Sequence, residues 1–126
     1  MKRLITISII LISILVCCVL GITHISSTNH QMYQYLDQSI EALQSEQFQD
    51  AHSQIEDAQK LWKSSGEMID SYVNHDMVDT VEENLVRLNA LIESKQTQQA
   101  LVVIETIQFE LNHIYECELP SLKNIF

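Results

Sequence analysis

The chain has 126 residues, of which 17 are acidic and 7 are basic, giving a formal net charge of −10 at neutral pH. All 17 acids follow residue 25, so that part of the chain should repel nucleic acid, and we expect no nucleic-acid partner. Two glycines and one proline are few for a sheet protein and favour helices joined by short turns.

The first 25 residues have the pattern of a membrane anchor. Lys2 and Arg3 precede an apolar run from Leu4 to Ile22, and the next charged residue is Asp37. A membrane-spanning helix needs roughly 20 mostly apolar residues. We therefore expect residues 1–25 to form an uncleaved single span in the cell membrane. The basic residues lie only before the span, which predicts a cytoplasmic N-terminus and an extracytoplasmic C-terminal domain.

Two alternatives for this segment stay open. A cleaved signal peptide has a shorter apolar centre and small residues before the cut, and Gly21-Ile22-Thr23 fits that pattern poorly. Lipid attachment is the other, because Leu15-Val16-Cys17-Cys18 resembles a bacterial lipobox. Cys17, however, stands where a Gly, Ala or Ser is expected. Cys117 has no second cysteine in its own domain with which to form a disulfide.

After a short linker at residues 26–31, apolar spacing predicts a helical domain over residues 32–119. Steps of three and four residues mark four helices, through Tyr33, Leu36, Ile40 and Leu43; Ala51, Ile55, Ala58, Trp62, Ser65, Ile69 and Tyr72; Val78, Val81, Leu85, Leu88 and Ile92; and Ala100, Ile104, Ile107, Leu111 and Ile114. A turn is expected at Asn74-His75-Asp76. Pro120 ends the last helix, leaving a tail at residues 120–126.

The domain also repeats itself. Residues 43–51 align with residues 92–100 at an offset of 49, and each copy reads as a helix, a polar turn and a helix that begins before an alanine. Such a unit is an αα-hairpin. The predicted fold class is therefore all-α, with an N-terminal transmembrane helix and a four-helix domain of two hairpins. A tetratricopeptide-like array fits less well, because its period is 34 residues and it needs at least three repeats.

The pattern of the whole chain resembles a bacterial family of domains of unknown function. The resemblance is carried by the apolar span, Trp62, the segment from Asn74 to Leu88, and the ending Ser-Leu-Lys-Asn-Ile-Phe at residues 121–126. Members are short, single-span, helical envelope proteins. The resemblance implies a bacterial envelope location and an all-helical domain. It implies no substrate, cofactor or catalytic residue.

Two clusters contain residue types that metal sites or acid–base catalysis use. Glu110 and His113 have the Glu-x-x-His spacing of di-iron bundles, but a second such step is missing from the chain. We expect no metal and no cofactor. His75 lies beside three acids, Asp76, Asp79 and Glu82. General acid–base chemistry would need a cleft and a substrate partner, so a structural role at a helix start is the favoured interpretation.

Apolar positions suggest where a partner would bind. Trp62 occupies a core stripe and is expected to be a core residue or a groove anchor. Val102 and Phe109 lie opposite the core stripe of the fourth helix and could form a partner surface. Ile125 and Phe126 in the tail would either cover them or bind a partner themselves.

These observations predict a non-enzymatic membrane protein that acts through helix-mediated contact with another envelope protein or with itself. The alternative is an extracytoplasmic ligand-binding or sensory module with a groove near Trp62 and His75. A metal-dependent enzyme is a remote third possibility.

Overall fold

The computed structural model describes residues 1–71 and 73–118, and within these ranges the chain is entirely helical apart from its turns. The four helices are α1 (Lys2–Gln44), α2 (Phe48–Asp70), α3 (His75–Glu93) and α4 (Thr97–Glu118). The all-α prediction is confirmed. The predicted tail at residues 120–126 lies outside the described residues.

The two hairpins close into an antiparallel four-helix bundle. α1 packs on α2, α2 on α3, α3 on α4, and α4 returns to α1, whereas the backbones of the diagonal helix pairs do not approach each other closely in the described residues. α2, α3 and α4 bury the stripes that their spacing predicted, except that Tyr72 lies outside the described residues. In α1, Leu36 and Leu43 are buried, whereas Tyr33 and Ile40 are only partly buried. The core includes Leu36 and Leu43 of α1, Ile55 and Trp62 of α2, Leu85 and Leu88 of α3, and Ile104, Ile107 and Leu111 of α4.

α1 has two parts with different environments. Residues 1–20 are exposed along their whole length, whereas from Gly21 onward one side of the same helix is buried in the bundle. With 43 residues, α1 is about 65 Å long. Among the described residues, α1 is the one helix that is long and apolar enough to cross a membrane.

The structure differs from the predicted linker at residues 26–31, because this segment is part of α1. Ile25, Thr28 and Met32 are buried and continue the core stripe. The Thr28 hydroxyl donates a hydrogen bond of 3.3 Å to the Ser65 hydroxyl, and both side chains are buried. A hydrogen-bonded polar residue thus occupies a core position, which the apolar pattern alone does not reveal.

The internal repeat appears as two turns with the same backbone geometry. Gln47 N–H donates to the Ala42 carbonyl at 2.8 Å, and Gln96 N–H donates to the Leu91 carbonyl at 2.9 Å. The residues before them, Glu46 and Lys95, have φ angles of 58° and 56°. Both turns are therefore helix C-terminal motifs with a non-glycine residue in the left-handed region.

Replacing Glu46 by glycine should stabilise the bundle. A left-handed conformation is unfavourable for a residue with a Cβ atom, whereas glycine adopts it without that penalty. We expect Glu46→Gly to raise the free energy of unfolding by about 1 kcal/mol relative to Glu46→Ala, which removes the same charge but keeps a Cβ. Thermal melting of both variants measures the difference. Equal stabilities would contradict the positive φ at this turn.

The antiparallel order sets the two ends of the bundle apart. The Tyr33 hydroxyl donates to the Gln108 carbonyl at 2.7 Å, and the Gln108 amide donates to Asp37 at 3.0 Å. Partial burial, followed by the charge of Asp37, raises the pKa of the Tyr33 hydroxyl, which keeps it protonated as a donor. α4 consequently ends beside the start of the buried part of α1. We call this end, which also carries the α2–α3 turn, the proximal end; the two repeated turns form the distal end.

Candidate interaction surfaces

A groove between α2 and α3 passes over Trp62. The indole is only 3% exposed, and its Nε1–H donates to the Val78 carbonyl at 3.2 Å. Two depressions of about 290 Å³ each adjoin it and share Trp62, Lys63 and Glu82. One of them extends to His75 at the proximal end. Trp62 and His75 therefore line a common groove, although Trp62 also serves the core.

His75 forms a clasp across the α2–α3 turn. Its Nδ1 lies 2.6 Å from Asp70 at the end of α2, and its Nε2 lies 3.4 Å from Asp79 in α3. Asn74 caps α3 by accepting a hydrogen bond from the Asp76 N–H at 3.1 Å. Asn74 thus stabilises the start of α3, and His75 holds α3 to the end of α2. The sequence did not predict Asp70 as a partner of His75, because Asp70 precedes the turn. Glu82, which was predicted to lie near His75, lines the groove.

The clasp shifts the titration of His75. The hydrogen bond to Asp70, followed by the charges of Asp70 and Asp79, raises the pKa of His75 above its ordinary value. A group whose pKa is higher in the folded state stabilises that state fully below its unfolded pKa, about 6.5 for histidine. The stabilisation is lost as the pH rises through the raised pKa.

We therefore expect the His75→Gln variant to be destabilised more at about pH 6 than at about pH 9. Thermal melting of the parent and the variant at both pH values measures this difference. Asp70→Asn, which removes the first partner of the imidazole, should show the same trend. A His75→Gln penalty that does not change with pH would contradict the clasp.

Val102 and Phe109 are exposed on the outer side of α4, with 62% and 73% of their surfaces accessible. The Phe109 ring stacks on His113, with ring centroids 6.4 Å apart and an interplanar angle of 3°. The His113 imidazole in turn lies 3.8 Å from the Cys117 sulfur. The structure thus places the predicted apolar pair on one exposed face. Ile125 and Phe126, predicted to cover it or to bind a partner, lie outside the described residues.

Glu110 and His113 have different neighbours. Glu110 accepts hydrogen bonds of 3.0 and 3.2 Å from the Asn84 amide of α3, whereas His113 stacks on the outer face of α4. Within residues 1–71 and 73–118, no group of three or more His, Cys, Asp or Glu side chains is arranged to hold a metal ion. Glu110 therefore contributes to the contact between α3 and α4.

The distal end carries a second histidine contact, which the residue pattern did not predict. His52 Nε2 of α2 lies 3.2 Å from Glu93 at the end of α3. Lys95 Nζ lies 5.7 Å from the centre of the Phe48 ring, within the range of a cation–π interaction. The internal repeat could have predicted these contacts, because it places both turns at the same end of the bundle. The resulting contacts connect the two hairpins.

These features define a four-helix bundle carried on a long apolar N-terminal helix. The chain belongs to the family described as a domain of unknown function, DUF4363, whose model matches residues 19–125. The match begins at Val19, two residues before Gly21, the first buried residue of α1. It thus covers the described bundle and only the end of the apolar run. No curated protein and no solved structure matches the chain.

Proposed function

We propose that this chain is a membrane-anchored helical module that acts by binding another protein and catalyses no reaction. The observation that carries the proposal is the continuity of α1. Its exposed apolar residues 1–20 lead directly into the buried stripe of the bundle. An exposed run of this length is suited to lipid. The bundle would then lie against the membrane with its proximal end nearest to the lipid.

The orientation follows from charge. Lys2 and Arg3 precede the apolar run, and the next basic residue along the chain is Lys60. This asymmetry favours a cytoplasmic N-terminus and an extracytoplasmic bundle. It agrees with the bacterial envelope location implied by the family resemblance. Cleavage near residue 24 would cut α1 between Gly21 and Ile25, which are both buried, so an uncleaved anchor fits this helix better.

The α4 surface supports binding as the activity. Val102 and Phe109 are large apolar side chains that remain exposed on the bundle, and such positions are common in protein-binding surfaces. The histidine–carboxylate contacts of His75 and His52 each join α2 to α3. These contacts support a structural role for both histidines. Neither contact lies over an enclosed cleft.

Topology mapping tests the anchor. Reporter fusions at the C-terminus and protease added to intact cells should place residues 30–126 outside. Mass spectrometry of the membrane fraction should show the full-length chain, of 14.5 kDa. A soluble mature form that begins near residue 24, or a C-terminus protected from external protease, would overturn the proposal.

The groove over Trp62 favours a second candidate function, the binding of a small ligand. The groove is lined by two lysines but by five carboxylates, those of Glu56, Glu67, Asp70, Asp79 and Glu82, which would suit an amphipathic cation. A Cβ atom added at Gly66 would meet nothing within 4 Å, so Gly66→Leu should fill the groove without disturbing the core. Emission from Trp62, the one tryptophan of the chain, reports binding of long-chain alkylammonium ions. A response in the parent that Gly66→Leu abolishes would support this function, and no response would exclude these ligands.

A further inference from the structure

The exposed side of α4 differs from the other surfaces of the bundle in its apolar content. Among the described residues after residue 20, four large apolar side chains are exposed: Met68, Val86, Val102 and Phe109. Only Val102 and Phe109 share a helix. They are seven residues apart, so they lie on the same side of α4 and about 10 Å from each other along its axis. We call the exposed side that they centre, which includes Gln98, Glu105, Thr106, Asn112, His113 and Glu116, the α4 face.

The α4 face also carries little charge. After residue 25 the chain has 17 acidic and 5 basic side chains, and the exposed side of α3 is dense in acids: Asp76, Asp79, Glu82, Glu83 and Glu93. The α4 face has two carboxylates, those of Glu105 and Glu116. The exposed side of α1 after residue 20 is low in charge too, but it presents no large apolar side chain among its exposed residues. The α4 face is therefore the side of the bundle that combines low charge, and hence little repulsion between two copies of this acidic chain, with exposed apolar side chains.

We propose that the α4 face binds a second copy of this chain in a parallel, two-fold symmetric dimer. This inference rests on the proposed function, because the anchor is what gives both copies the same direction and height. A two-fold axis along the membrane normal then places α4 beside α4 of the second copy. Val102 meets Val102 of the second copy, and Phe109 meets Phe109 of the second copy.

The spacing of the two residues suits such a seam. Seven residues is the repeat at which parallel helices keep one contact position facing the partner. Uncharged polar groups flank the seam at Gln98, Thr106 and Asn112. The Thr106 hydroxyl and the Asn112 amide donate within α4, to the Val102 carbonyl and to Glu116, and their oxygen atoms can accept hydrogen bonds from the second copy. Confinement of both copies to one membrane raises their effective concentration, so a small apolar centre suffices for association.

Cysteine cross-linking of the full-length chain in lipid vesicles tests the dimer. In a variant whose native cysteines are replaced by serine, Val102→Cys should form a disulfide-linked species of twice the chain mass on mild oxidation. The matched control is Val86→Cys on α3, a valine that is 58% exposed and should give no such species. Adding Phe109→Glu to the Val102→Cys variant should lower the cross-linked fraction about tenfold, because two like charges would meet at the seam.

The alternatives give different results. A Val102→Cys adduct of unequal mass in native membranes, with no dimer in vesicles, would overturn self-association but retain the proposed binding function. Failure to cross-link in both settings, with the thiol still reactive to maleimide, would overturn both. A thiol that maleimide cannot reach, and that becomes reactive when residues 119–126 are deleted, would assign the face to the chain's own tail and overturn the dimer. A dimer that Phe109→Glu leaves intact would overturn the proposed seam.

Discussion

Leu88→Asp should unfold the bundle. Leu88 is 0% exposed in the interior of α3, where an aspartate would be charged, buried and without a partner. Burial of an unpaired charge, added to the loss of the leucine side chain, costs at least about 4 kcal/mol. That is close to the whole stability of a marginal small domain, roughly 5 kcal/mol. The expected result is a chain whose apolar N-terminal segment remains helical but whose bundle does not fold.

Emission from Trp62 is the measurement of choice, because Trp62 reports the core and not the apolar part of α1. The full-length chain in detergent micelles should lose its cooperative transition in the Leu88→Asp variant. The control is Val86→Asp, two residues earlier on the same helix at an exposed position, which should melt close to the parent. Equal melting of the two variants would show that the assigned core side of α3 is wrong.

Ser27→Pro should have the second largest effect. Ser27 is exposed and lies inside α1, so its side chain contributes little packing. A proline there removes a backbone hydrogen bond and clashes with the preceding turn, at a cost of about 3 kcal/mol or more. The buried stripe on both sides, at Ile25 and Thr28, would be displaced. We expect a lower unfolding midpoint in the proline variant.

The control for this experiment is Ser27→Ala, which keeps the backbone hydrogen bond and should be neutral or slightly stabilising. Guanidinium titration followed by Trp62 emission compares the variants. If the proline variant unfolds at the same midpoint as the alanine variant, residues 26–31 behave as the linker that the sequence predicted.

Most of the bundle could be predicted from apolar spacing. The predicted stripes of α3 and α4 are buried at every position from Val78 to Ile92 and from Ala100 to Ile114, because each helix has one neighbour on either side and one continuous buried face. The offset of 49 residues likewise predicted two equivalent turns. Both results follow from local pattern, in which helical period and turn chemistry suffice.

Contacts between distant segments could not be predicted in the same way. The stripe of α1 passes through Thr28 and Ser39, whose hydroxyl groups are buried by donating to Ser65 and to the Ala51 carbonyl. Those partners become visible only once α2 is in place. The contact between α1 and α4 that closes the bundle includes the hydrogen bond from Tyr33 to the Gln108 carbonyl, a backbone atom that no residue pattern identifies.

The candidate surfaces were predicted in part. Val102 and Phe109 were found because they break the core period of α4, and that argument needs only one helix. The prediction of the cluster around His75 was incomplete, because the nearest partner of His75, Asp70, belongs to the preceding helix. The lining of a groove between two helices depends on how those helices are placed relative to each other. The sequence could therefore predict Trp62 and His75 as groove residues, but not the other residues that line the groove.

The continuity of α1 is the central claim, and a distance across residues 26–31 tests it most directly. Spin labels at Leu11→Cys and Gln31→Cys, in a full-length chain with its native cysteines replaced by serine and reconstituted in lipid nanodiscs, are separated by 20 residues. Pulsed electron spin resonance should give one narrow distance near 30 Å, at about 1.5 Å per helical residue. A broad distribution of distances, typical of a flexible segment between the apolar run and the bundle, would contradict the continuity of α1.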